Sequence, residues 1–265
     1  MDLDLLTRCV IFEEVGRTIV IPYRMNEVFG PEVRPPLFYC NDEQKERYLY
    51  PVLKGEKRMC FALTEPDAGS DPASMQTRAV KDGDDYIING TKTWISNGRE
   101  GNCVALLVKT DTQIEPRHKG MSLFLAEKGP GFGVGKKLKK LGYKGIDSAE
   151  LIFDDYRISA DDLIGGVEGE GFYQTMGGLE LGRINVAARG VGVANAALKD
   201  ATSYAQIRET MGKPIGQHQA IQTKLGDMAT RCAAARLQAR PCGYPPRDAR
   251  ADRALPLLRP AACSK

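Results

Sequence analysis

Two short segments carry the residue types best suited to binding a flat ligand with polar edges. The first reads Phe-Ala-Leu-Thr-Glu-Pro-Asp-Ala-Gly-Ser-Asp over residues 61–71, and the second reads Asn-Gly-Thr-Lys-Thr-Trp-Ile-Ser-Asn-Gly over residues 89–98. Each begins with β-forming residues and ends in turn-forming ones. This pattern predicts two strands that deliver small polar residues to one rim of a sheet.

Three side chains in these segments meet the needs of a conjugated ring. The hydroxyls of Thr64 and Ser96 can donate hydrogen bonds to ring nitrogens or oxygens, and Trp94, the only tryptophan, can lie against the ring. The Ala-Gly-Ser turn at 68–70 would let main-chain amides approach a phosphate, because glycine has no side chain to obstruct it. Each segment alone also fits an ordinary surface turn or a core tryptophan, so the prediction depends on their pairing.

The elements that must position these segments are short β strands. Regular spacing of β-forming stretches between Gly and Asp turns predicts a compact β barrel or sandwich, not a parallel sheet with crossover helices. The glycine-rich stretches at 129–135 and 165–171 do not lie within βαβ units, so we reject a dinucleotide-binding motif. The predicted strands are residues 58–65, 75–81, 85–88, 91–95, 103–109, 121–127, 133–141 and 148–153.

Helical spacing of apolar residues flanks this β region on both sides. It predicts helices over residues 3–16, 41–53, 170–207 and 217–237, the second of them capped by Asn41, and a helix–helix connection at 208–215. The predicted fold class is α+β. A central β barrel or sandwich domain (57–160) is flanked by a partial N-terminal helical domain (1–56) and a partial C-terminal helical domain (161–237).

Residues 238–265 differ in character from the rest of the chain. They are dominated by Pro, Arg and Ala without a sustained period, which predicts disorder. We interpret them as the product of a shifted reading frame appended to an interrupted gene. An Arg-rich tail that binds phosphates or acidic partners is the less favoured interpretation.

The composition argues against several classes of function. A formal net charge of +3 over 265 residues is too small to indicate nucleic-acid binding. No apolar run approaches the roughly 18 residues of a membrane span, and the acidic N-terminus differs from a secretory signal, so we expect a cytoplasmic protein. The seven cysteines never form Cys-x-x-Cys and histidines number two, so we expect neither disulfides nor a metal centre.

The paired segments together resemble the flavin-binding signature of the acyl-CoA dehydrogenase family, and the resemblance continues to about Leu237. It implies FAD as the cofactor, held between the β domain and the helices that follow. By similarity, the isoalloxazine and pyrophosphate would be lined by Phe61, Leu63, Thr64 and Ser70. The ring face and its N5 edge would be covered by Trp94, Ile95 and Ser96.

The same resemblance implies an acyl-CoA substrate, a homo-oligomer (dimer or tetramer) and an electron-transfer flavoprotein as electron acceptor. Ser70 would also approach the acyl-CoA, and Glu180 and Arg183 would be the polar contacts to its nucleotide. The FAD of a neighbouring subunit would be reached by Arg208, Thr210 and Gln219.

The family's chemistry requires a base that takes the α proton of the acyl thioester while the flavin accepts the β hydrogen as hydride. In most relatives the base is a glutamate in a C-terminal segment that has no match here. In a subset it stands at the position of Gly182, which cannot serve. Glu180 lies about 200° away around the helix axis, so we assign no catalytic residue.

Two hypotheses of different classes follow. The first is an FAD-dependent acyl-CoA dehydrogenase-type oxidoreductase of lipid metabolism. The second is a catalytically inactive remnant, truncated at both ends, that binds FAD or acyl-CoA weakly or not at all and associates through uncovered helix faces. An acyl-CoA oxidase or monooxygenase on the same scaffold, and a binding module based on the Arg-rich tail, rank lower.

Overall fold

The computed structural model of the chain describes residues 5–18, 33–142 and 144–239. The chain divides into two compact units. One is formed by residues 22–178, and the other by residues 1–21 together with 179–265. The α-helices are α1 (Leu5–Gly16), α2 (Asp42–Gln44), α3 (Tyr50–Leu53), α4 (Gly171–Ile207) and α5 (Gln219–Ala239).

A seven-stranded sheet dominates the unit of residues 22–178. The strand order is β1-β4-β2-β3-β7-β6, β5 pairs with β4, and β4 runs parallel to β1 and β2 while the other pairs are antiparallel. This curled half-barrel agrees with the predicted α+β fold class. Its strands are β1 (Met59–Ala62), β2 (Arg78–Asp82), β3 (Asp85–Ser96), β4 (Cys103–Lys109), β5 (Met121–Ala126), β6 (Phe132–Lys137) and β7 (Ser148–Ser159).

Several strand boundaries differ from the sequence prediction, and at residues 89–90 the structure joins two predicted strands into one. The predicted break at 89–90 is wrong, because β3 continues through it with a shift of register between Ile88 and Gly90. Gly90 has a φ of 149°, and a Cβ there would lie 2.5 Å from Thr77 Oγ1. Glycine therefore allows the strand to pass close to its neighbour, and it does not mark a turn.

The core of this unit lies on both faces of the sheet, and β4 is buried on both sides. Its side chains alternate between two apolar clusters, which explains its almost continuous apolar sequence. One cluster receives Val104, Leu106 and Val108, and the other receives Cys103, Ala105 and Leu107.

The helix predicted over residues 41–53 forms in three consecutive pieces. Asn41 makes a capping box with Gln44 at the start of α2, as its residue type predicts. A π-helical turn over Lys45–Leu49 follows, and α3 completes the segment. Pro51 has no N–H to donate, so the regular hydrogen-bond ladder is interrupted in this region.

The described part of the second unit is mainly helical. Gly16 of α1 and Gly192 of α4 lie at a close backbone approach, since a Cβ on Gly16 would be 2.8 Å from the Arg189 carbonyl oxygen. A Cβ on Gly192 would collide with the Glu13 carbonyl oxygen. Arg236 of α5 bonds the buried Glu13 carboxylate, with Nη2 2.6 Å from Oε1, and so ties α5 to α1.

The segment between α4 and α5 contains a small hairpin of β8 (Glu209–Thr210) and β9 (Lys213–Pro214). The predicted helix–helix connection thus has a structure of its own. The predicted tail lies outside the described residues from 240 onward, and the domain boundaries at 56, 160 and 237 stay predictions. Among the described helices, none is long and apolar enough to cross a membrane.

Candidate functional site

The two segments singled out in the sequence lie side by side in the structure. The main-chain N–H of Thr93 donates a 2.8 Å hydrogen bond to the carbonyl oxygen of Thr64. The end of β3 therefore meets the residues that follow β1. This contact brings Thr64 close to the backbone that carries Trp94 and Ser96.

Trp94 is held on the surface by an irregularity in β3. Its φ is 59°, a left-handed value that a bulky residue rarely adopts, and the pairing with β7 shifts register between Lys92 and Ile95. The side chain is 55% exposed, so the interpretation of Trp94 as a core residue is wrong. An exposed aromatic ring on a strained backbone is typical of a ligand-contacting position.

Ile95 and Ser96, which follow Trp94, differ in how far they are buried. Ile95 is 2% exposed and belongs to the core, so only its main chain is accessible to a ligand. Ser96 is half-buried at the end of β3 and pairs in register with Ser148 of β7. Of the residues predicted to cover a ring face, the side chains of Trp94 and Ser96 are thus the accessible ones.

The residues after β1 form a tight turn that ends at Ser70. Glu65 and Ala68 exchange two main-chain hydrogen bonds, of 2.9 and 3.3 Å, which close the turn. Gly69 and Ser70 follow on the exposed side, and a Cβ on Gly69 would meet nothing within 4 Å. The turn therefore leaves open space beside its glycine, as a site for a close-fitting phosphate requires.

Phe61, Leu63 and Thr64 are half-buried in the segment that leads into this turn. Within the described part of the chain, the hydroxyls of Thr64, Ser70 and Ser96 and the indole N–H of Trp94 have no hydrogen-bond partner. Hydroxyl and indole donors that the protein does not use itself are suited to the polar edge of a heterocycle and to a phosphate. This donor set fits a flavin nucleotide.

A buried ion pair, which the sequence analysis did not identify, lies behind these residues. Lys92 is 0% exposed and its Nζ donates to Glu65 Oε1 at 2.8 Å and to the Leu63 carbonyl oxygen at 3.2 Å. Glu65 also accepts from the main-chain N–H groups of Gln76 (2.6 Å) and Thr77 (3.0 Å). The available signal was a lysine within a strand, at a position that alternation assigns to the core.

Burial and pairing shift the ionisation of both partners. Desolvation lowers the pKa of Lys92 to about 8, although Glu65 opposes this shift. Burial tends to raise the pKa of Glu65, but Lys92 and the main-chain donors outweigh it, so this pKa lies below its usual value. Both groups are therefore charged at neutral pH.

A second group of predicted residues surrounds the hairpin between α4 and α5. Arg208 and Thr210 are exposed there, and Gln219 is the first residue of α5. The carbonyl oxygen of Arg208 accepts from Ile215 N at 2.8 Å, which holds the hairpin closed. The ring of His218, a residue that the sequence analysis did not select, lies 3.1 Å from the hydroxyl of Thr210.

The predicted nucleotide contacts lie on α4. Arg183 is exposed, whereas the side chain of Glu180 lies outside what the structure describes. A Cβ on Gly182 would meet nothing within 4 Å. This part of α4 therefore has space for larger groups.

One surface cleft of about 480 Å³ contains none of the predicted site residues. It is lined by Arg99, Lys128, Val134, Gly135 and Lys136, so three of its five lining residues carry a positive charge. Lys128 Nζ donates to the carbonyl oxygen of Arg99 at 2.5 Å across it. No described cluster of His, Cys, Asp or Glu side chains has the arrangement of a metal site.

Two domain families match the chain. "Acyl-CoA dehydrogenase, middle domain" matches residues 60–156, and "Acyl-CoA dehydrogenase, C-terminal domain" matches residues 169–255. The first match includes both segments of the candidate site. The second includes α4, the hairpin and α5, and it runs beyond residue 237, where the sequence alone predicts the resemblance to end.

Individual relatives agree with these matches. An acyl-CoA dehydrogenase of Bacillus subtilis (strain 168) is 44% identical over 203 residues, which are 76% of this chain and 53% of that protein. Butyryl-CoA dehydrogenase from Megasphaera elsdenii has a TM-score of 0.80 at 35% identity, covering 91% of this chain and 63% of the other. A structure described as the FAD complex of PigA has a TM-score of 0.83 at 29% identity, covering 92% and 64%. The chain spans about half the length of the curated relatives it matches.

Proposed function

The chain belongs to the acyl-CoA dehydrogenase family, and on that premise we propose that it binds FAD and acts in the α,β-desaturation of an acyl-CoA thioester. The observation that carries the proposal is the rim formed by Thr64, Trp94 and Ser96. There an exposed indole and hydroxyls without a hydrogen-bond partner lie on two segments that the main-chain hydrogen bond from Thr93 to Thr64 joins.

The residues of this rim would bind and orient the cofactor. FAD supplies the hydride-accepting chemistry when bound. Trp94 would lie against the flavin ring, and Thr64 and Ser96 would donate hydrogen bonds to its polar edge. Such donors favour a more negative ring, because their dipoles are already oriented toward the position where charge develops.

The turn at Gly69 and Ser70 would hold phosphate oxygens. Its exposed position and the open space beside Gly69 support this role. Phe61 and Leu63 would provide apolar contact along the same edge, with Ser70 also approaching the acyl-CoA. On α4, Arg183 and Glu180 would contact the CoA nucleotide, which carries the negative charge that an arginine recognises.

The hairpin residues Arg208, Thr210 and Gln219 would contact the FAD of a neighbouring subunit in a homo-oligomer. Their exposure supports this role, since a residue that binds a partner's cofactor must be free of its own unit's core. An electron-transfer flavoprotein is the proposed acceptor, by the family resemblance. We assign no catalytic base among the described residues.

Reconstitution with FAD tests the proposal. The chain is incubated with FAD and desalted, and the visible absorbance of the retained flavin is measured before and after anaerobic addition of each of a series of acyl-CoA thioesters, which includes butyryl-CoA. We expect a retained yellow chromophore in the wild type and about fivefold weaker binding in Trp94→Ala, since an aromatic contact contributes about 1 kcal/mol and about 1.4 kcal/mol is tenfold.

Val80→Ala is the matched control, because Val80 is 57% exposed on another strand of the same sheet. It should bind FAD like the wild type. A colourless wild-type protein after desalting would overturn FAD binding. Bound flavin that keeps its colour with every acyl-CoA supplied would overturn the desaturation.

A further inference from the structure

The ion pair of Lys92 and Glu65 is connected to both halves of the candidate site. Lys92 is two residues before Trp94, and Glu65 directly follows Thr64. Lys92 Nζ bonds the Leu63 carbonyl oxygen on one side of Thr64 and the Glu65 carboxylate on the other. Thr64 is therefore held by a lysine whose own backbone leads into the bulge at Trp94.

The carboxylate extends this connection to a third segment. Glu65 Oε2 accepts from Gln76 N and Oε1 accepts from Thr77 N, at 2.6 and 3.0 Å. The main chain of Glu65 also closes the turn that leads to Ser70. One buried pair thus connects the end of β1, the turn that leads to Ser70, the chain before β2, and the end of β3.

Stability alone does not account for such a pair. Both side chains are nearly free of solvent, at 0% and 4% exposure, and the desolvation of two charges offsets most of their attraction. Apolar residues of similar volume are often as stabilising in such a position. A buried pair does provide fixed geometry, because the three donors of an ammonium and the lone pairs of a carboxylate define where their partners lie.

We propose that Lys92 and Glu65 are positioning residues that fix Thr64 and Trp94 relative to each other for contact with the flavin ring. The part that concerns the flavin rests on the proposed function. The part that concerns the arrangement of Thr64 and Trp94 is a property of the protein without cofactor. The two parts have separate readouts.

The first readout is fluorescence of the protein without FAD. Trp94 is the only tryptophan in the chain, so intrinsic tryptophan emission and its quenching by acrylamide report on this residue alone. In Lys92→Met we expect an altered quenching constant and emission maximum, because the bulge loses its anchor on Leu63 and Glu65. Unchanged fluorescence would overturn the proposal, whether or not the protein binds FAD.

Asp162→Asn provides the matched control. Asp162 is buried in the same unit and accepts from Arg47 Nη1 at 2.9 Å and from the Tyr48 hydroxyl at 2.8 Å. This variant also disrupts a buried charged network, but its hydrogen bonds go to Arg47 and Tyr48 and not to Thr64, Trp94 or Ser96. It should lower thermal stability and leave Trp94 fluorescence unchanged, so an equal fluorescence change in both variants would also overturn the proposal.

The double variant Lys92→Met with Glu65→Gln separates positioning from folding. The single oxygen of the glutamine amide can still accept from one of the two main-chain N–H groups, that of Gln76 or that of Thr77, and no unpaired charge remains buried. We expect it to be more stable than Lys92→Met while its Trp94 fluorescence stays altered, since the bonds from Lys92 are still missing. If wild-type fluorescence returns in the double variant, the positioning role is refuted.

The second readout is the bound flavin. In the double variant we expect about tenfold weaker FAD binding, and a shifted visible spectrum and reduction potential of the flavin that remains bound, since a small misplacement of binding groups lowers affinity and changes the ring's surroundings. Asp162→Asn should keep the wild-type spectrum. A wild-type protein that binds no FAD would refute the proposed function and leave the fluorescence result to decide on positioning.

Discussion

Lys92 is the residue at which the local chemistry is most unusual. A lysine buried in a sheet is tolerated only with a partner, and here Glu65 and the Leu63 carbonyl oxygen supply it. Trp94 is unusual in the opposite sense, as a large aromatic residue that is exposed at a positive φ. Lys92 and Trp94 lie on the same bulge. The free-energy cost of burying the lysine and of exposing the tryptophan is therefore concentrated at the candidate site.

The depressed pKa of Lys92 predicts how stability depends on pH. Its pKa is about 8 in the folded chain and 10.5 for the free side chain, so between these values the unfolded state binds more protons. Stability contributed at this position therefore rises as pH increases from 8 to 10.5. In urea unfolding across this pH range, the free energy of unfolding of the wild type should increase relative to that of Lys92→Met.

Lys92→Met cannot titrate at this position, so its own profile serves as the baseline. Two parallel profiles would contradict the prediction. They would mean that Lys92 keeps an ordinary pKa in the folded chain.

At the scale of elements, glycines decide how closely α1 and α4 pack. Gly192 faces the backbone of α1 at Glu13, whereas a Cβ on Gly190, two residues earlier in α4, would meet nothing within 4 Å. The sequence shows several glycines in this helix, all of which lower helix propensity. Their different surroundings show that Gly192 is required for packing and Gly190 is not.

This difference predicts opposite effects of two alanine substitutions in one helix. Gly192→Ala should destabilise the chain by roughly 1–3 kcal/mol, because the new methyl group forces α1 away from α4. Gly190→Ala should stabilise it by up to about 1 kcal/mol through helix propensity. Urea denaturation measures both values, and destabilisation by Gly190→Ala equal to that by Gly192→Ala would refute the packing explanation.

The elements also show which local signals were informative. Asn41 at a helix start and the continuous apolar run of β4 predicted local structure correctly. The dipeptide at 89–90 predicted a turn that does not form, because its glycine serves a close approach to Thr77 within a continuous strand. A glycine in the sequence indicates either a close approach of another segment or an unusual φ angle. The sequence alone does not show which of the two applies.

At the scale of the whole molecule, the helical unit exposes many large apolar side chains. Exposed apolar surface of this extent is typical of association sites. The proposed contact of the hairpin with a neighbouring subunit would cover part of it. The exposed residues of α4 and the hairpin include Val186, Val193, Tyr204, Ile207 and Met211.

Association through this surface is expected to depend on Ile207 and Met211, which are 78% and 93% exposed beside the hairpin. The double variant Ile207→Glu with Met211→Glu should shift the mass measured by light scattering from an oligomer toward the monomer, because charge in an apolar interface must be desolvated. The control Leu53→Glu, at a half-exposed position of the other unit, should keep the wild-type mass. An oligomer that persists in the double variant would rule out this surface.

The sequence by itself determined the fold class, the positions of most strands and helices, and the two segments that resemble the flavin-binding signature. These properties are encoded locally, in periodicity, caps and short motifs, so they can be found along the chain without knowing its path. They also sufficed to predict the family that the domain matches then identified.

Only the tertiary structure decided which residues meet. Lys92 and Glu65 are 27 residues apart, and nothing in either local sequence specifies the other as its partner. The exposure of Trp94 depends on a register shift between β3 and β7, and the role of Gly192 depends on where α1 passes. The periodicity of the sequence predicts that a side chain is buried. Which group forms hydrogen bonds with a buried polar side chain depends on the arrangement of strands and helices in space.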